Sequence, residues 1–130
     1  AHPSAALTSV NINMKTGEKM TFSDFTDPDQ TAKILFAGKE DGGSAQGYTV
    51  LDADGNPSAE ITMKDILEFN FIWMEPTEES LAASLAHFDG DPEDYGTDET
   101  TGESYMHDGK VYVIFYVNHA MGDYAVVRLD

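Results

Sequence analysis

The chain contains no cysteine. A disulfide framework, a thiolate metal centre and a cysteine nucleophile are therefore excluded, and the redox compartment stays open. Basic residues are scarce. Six lysines and a single arginine, Arg128, stand against 24 acidic residues, for a formal net charge of −17. A free surface this negative repels phosphate backbones, so nucleic acid and anionic membranes are not expected partners. No apolar run approaches the roughly 18 residues of a transmembrane helix. Phosphate-binding loops and dinucleotide fingerprints are missing, and no serine lies in a Gly-x-Ser-x-Gly elbow.

What is there is 130 residues, the length of one domain able to bury a core without staples. The acid surplus reads first as a solubilising coat. Cation binding, a basic protein partner and life in high salt are the sharper readings. Lysine outnumbering arginine six to one speaks against the last. Residues 1–6, AHPSAA, read as a mobile, processed end, consistent with a secreted or periplasmic protein that has lost a signal peptide.

Short alternating segments dominate. Strands are expected over 7–14, 19–22, 32–37, 48–51, 59–63, 65–74, 110–117 and 124–129. The run KVYVIFYV, 110–117, is apolar on both faces and should be central to a sheet or covered on its outer side. Asp52-Ala53-Asp54-Gly55-Asn56-Pro57 has the opening of a calcium loop. However, Pro57 and Met63 stand where that loop needs glycine and a bidentate glutamate, so a hairpin turn is expected. Residues 89–103 hold seven carboxylates and should form a solvated acidic loop without a recognised ligand spacing. Residues 77–88 fit a helix by composition, with Glu78 and Glu79 in the first turn and Leu81, Leu85 and Phe88 on one face.

The pivotal stretch is 65–89. Read with period two, Leu67, Phe69, Phe71 and Trp73 share one face and run into Glu75-Pro76-Thr77. A carboxylate just beyond an aromatic wall suits the mouth of an apolar cavity, where burial would raise its pKa and make Glu75 a general acid. In the strand reading of 77–88, His87 faces the same interior as Leu81 and Leu85, although a core histidine with a local hydrogen bond is the plainer account. His107 and His119 lie at opposite ends of one strand, beside Met106 and Met121, which argues against a shared metal site.

Trp73-Met74-Glu75-Pro76-Thr77 followed by Ser80-Leu81 resembles the signature of the phenolic acid decarboxylases, which are calycin-like barrels with molybdenum-cofactor-associated protein F-like relatives. The resemblance spans roughly residues 7–88. It implies an antiparallel, lipocalin-like up-and-down β-barrel of about eight strands, with 77–88 drawn toward strand or left as one short helix. It also implies that Glu75 is the proton donor. The family's tyrosine pair and arginine are not matched: Ile12, Met14, Ile34 and Leu35 stand near those places and cannot hold a phenolate or a carboxylate.

The expectation is therefore a small-molecule-binding barrel. Its pocket would take an apolar or aromatic ligand against Tyr48, Phe69, Phe71, Trp73, His87 and Tyr116, with neither cofactor nor metal. The alternatives are a lyase or isomerase using Glu75, and an acidic cation-binding or protein-interaction domain.

Overall fold

A computed structural model of the chain describes residues 11–12, 16–38, 44–45, 47–52, 54–58, 60–71, 76–91, 93, 99–117 and 124–130. Strands β1 (Asn11–Ile12) and β2 (Lys19–Met20) form a small antiparallel pair within the hairpin expected at 7–22. Helices α1 (Phe22–Phe25) and α2 (Pro28–Ala37) follow, then β3 (Ser44–Ala45) and β4 (Tyr48–Leu51). Next come α3 (Met63–Asn70), α4 (Glu78–His87), β5 (Gly102–His107), β6 (Lys110–Tyr116) and β7 (Tyr124–Leu129). Strands β3 to β7 make one antiparallel sheet in the order β3-β4-β7-β6-β5, with β6 in its interior as its sequence suggested. This sheet is open. The expected calycin-like barrel of about eight strands does not form, and the architecture is mixed α/β.

Two expected strands, 32–37 and most of the described part of 65–74, are helical, and so is 77–88, which the sequence left between strand and helix; each helix has a cap. Residues 32–37 belong to α2, where Asp27 caps through a bond from the Asp29 amide at 2.9 Å and Pro28 occupies the first turn. Thr31, Ala32 and Leu35 then turn inward together. The stretch 65–74 begins inside α3. Thr62 and Asp65 form a capping box, and Met63, Ile66 and Leu67 are buried at helical spacing. The segment 77–88 is the helix that its composition indicated. Thr77 caps α4, accepting from the Ser80 amide at 3.0 Å, and Leu81, Ser84, Leu85 and Phe88 point inward. The Thr and Ser of the decarboxylase-like signature thus serve as a helix cap. No strand forms in the described part of 59–63, because Thr62 caps α3 and Met63 begins it.

The turn at Asp52 is found. The Asp52 side chain accepts from the amides of Asp54 and Asn56, both at 2.9 Å, and Pro57 bridges back to Leu51. Strand β5 reaches into the expected acidic loop, starting at Gly102. It joins β6 through Asp108 and Gly109, at φ 51° and 77°, the mirror-image turn that matches strand twist.

The core lies between the helices and one sheet face. Alternation sends Tyr48, Val50, Val113, Phe115, Ala125 and Val127 toward α1–α4, where they meet Phe22, Leu35, Ile66, Leu67, Leu81, Leu85 and Phe88. Each fully buried aliphatic or aromatic side chain contributes roughly 1.5–3 kcal/mol. Phe88 sits at the junction, edge-on to Phe115 at 5.5 Å and to Phe22 at 6.5 Å. Its ring occupies the space over Gly102, so a Cβ there would fall 2.2 Å from the Phe88 ring and 2.8 Å from the Ile114 carbonyl oxygen. Gly102→Ala should therefore lower the denaturant midpoint at unchanged slope, by a cost of about 1–3 kcal/mol typical of overpacking. An unmoved midpoint would show that Phe88 does not hold this position.

Candidate functional site

The residues expected to line one pocket are dispersed. Tyr48 is fully buried, and its hydroxyl donates to the Gly38 carbonyl at 2.7 Å. Phe71 ends α3 inside the same core. Phe69 is 37% exposed, because a helical step of about 100° per residue turns it away from Leu67 and Phe71. Tyr116 points to the opposite sheet face from Tyr48. His87 closes α4, with Nδ1 at 2.5 Å from Glu99 Oε2. Trp73 and Glu75 lie outside the described residues, as does His119. His107 is exposed and edge-on to Tyr112.

Two polar ties fasten the segment after α4. Asn70 donates to the carbonyls of Ile66 at 2.8 Å and Tyr116 at 2.9 Å, and accepts from the Thr100 hydroxyl at 2.7 Å. The Thr100 amide donates to Ser84 Oγ at 3.0 Å. One side chain thus joins α3, β6 and the approach to β5. The second tie is Asp89, buried at φ 68°. Its carboxylate accepts from the Ser104 amide at 2.8 Å and from the Ser104 hydroxyl, and its own amide donates to Gly102 O at 3.3 Å. Burial holds the Asp89 carboxyl above the usual range, opposed by the bonds from Ser104 and reinforced by the charge of Glu103. Among the described residues no buried side-chain polar atom lacks a partner, and no three His, Asp or Glu residues cluster as metal ligands would. No described helix is long and apolar enough to cross a membrane.

The outer face of the sheet is the larger feature. Its residues are those that alternation turns away from the helices. One row crosses the strands as Tyr105, Tyr112, Arg128 and Thr49. The next runs Glu103, Ile114, Val126 and Leu51, and Tyr116 pairs with Tyr124 beyond it. Ile114 is fully buried, while all four tyrosines are half-buried. The rings of Tyr105 and Tyr112 stack at 4.9 Å and 3°. Arg128 Nε donates to Asp130 at 2.8 Å, and the guanidinium also bonds the Tyr112 hydroxyl and lies 3.4 Å from Thr49 Oγ1. Burial acts to raise the Asp130 pKa, but the bonds from Arg128 and Thr49 outweigh it and the carboxyl sits below its usual range. Burial pushes the phenols of Tyr105 and Tyr116 up, helped by Tyr112 and Tyr124 for the first and by Glu103 for the second. Both remain protonated donors at neutral pH.

This face was missed in the sequence because 110–117 carries apolar residues on both faces. The signal that finds it is Asp108-Gly109, a hairpin turn that places Tyr105 across from Tyr112. A scan against family models, a search of curated proteins and a search of solved structures each found no match.

A raised Asp89 pKa means that the folded state binds this proton more tightly than the unfolded chain does. The contribution is whole below the ordinary carboxyl range and is lost as pH rises through the raised value. Asp89→Asn keeps the bonding and removes the ionisation. Its stability relative to the parent should therefore climb as pH rises from about 4, then level off. A difference in melting temperature that stays flat with pH would contradict this. Asn70→Leu strips the partner from the Thr100 hydroxyl and should cost about 1–3 kcal/mol in denaturant melts. Little change would mean that water replaces the tie.

Proposed function

We propose that this chain is a non-catalytic binding domain whose working surface is the outer face of its sheet, and that its partner is a protein. One observation carries the reading: four half-buried tyrosines and the only arginine lie together on the face that α1–α4 do not cover. Tyrosine offers a large, stiff contact with a polar tip, and tyrosine and arginine are the residues that concentrate binding energy at interfaces. The acidic protein-interaction alternative is thus favoured over the small-molecule barrel. The barrel wall is absent, and Tyr48, Phe69, Phe71, His87 and Tyr116 do not converge on one hollow. The lyase reading rests on Glu75 and draws no support from the described residues.

Peptides selected from a random displayed library against the parent domain should bind Tyr116→Ser/Tyr124→Ser roughly tenfold or more weakly, the scale of about 1.4 kcal/mol. Circular dichroism melts would verify that the variant is folded at the assay temperature. Equal binding to parent and variant would remove the face from consideration.

A further inference from the structure

We draw no further inference here: the strongest candidate, the side-chain pair of His87 at the end of α4 and Glu99 on the approach to β5, belongs to the site already described and nothing in the structure shows what it would bind or release.

Discussion

The fold turns on the seat of α4 against β5. Phe88 lays its ring over Gly102, and Asp89 bonds both the carbonyl of Gly102 and the amide of Ser104. Neither contact works without the other. The glycine makes room for the ring, and the ring brings the following residue to the strand edge. Asp89 adopts the left-handed conformation there, a region that short polar side chains enter at modest cost. The result anchors the helical layer to the sheet and occupies two outward backbone groups at the start of edge strand β5. The buried acid is retained against a desolvation cost because its oxygens are answered by two donors on one residue.

With the helices held on one face, the other face acquires a different chemistry. Its centre, Ile114, is as buried as any core residue, and tyrosines and a paired arginine surround it. Such a surface stabilises the domain by covering apolar area. It also keeps hydroxyls and a guanidinium at the margin, where a partner could meet them. A highly acidic chain that gathers aromatic hydroxyls on one sheet face gives its surface two roles. Carboxylates favour dispersal, and on the proposed reading the rings are the contact a partner meets.

The strands 48–51, 110–117 and 124–129 were legible because each alternates or is uniformly apolar and is bounded by turn residues. The helices at 28–37 and 63–70 were not. In Ala32–Ala37 and Ile66–Phe71 apolar residues are dense enough to satisfy both the two-residue and the 3.6-residue period. The deciding marks were the caps, Asp27-Pro28 and Thr62 with Asp65, which are local and small beside an aromatic run. The two-residue period put Phe69 and Phe71 on one face, whereas the helix leaves Phe69 exposed and turns Phe71 into the core. His87 was found as a residue of interest, but its partner Glu99 lies 12 positions away across a loop, and no spacing rule connects them.

The amino-acid order alone determined composition, charge, the absence of thiol chemistry, the position of several turns and the strands nearest the C-terminus. These depend on single residues or on neighbours. Tertiary structure alone decided which apolar runs coil and which extend, that the sheet stays open, and that Tyr105, Tyr112, Tyr116, Tyr124 and Arg128 share a surface. Those outcomes depend on which faces find a partner to exclude water, and burial between distant segments outweighs the preference of any one of them.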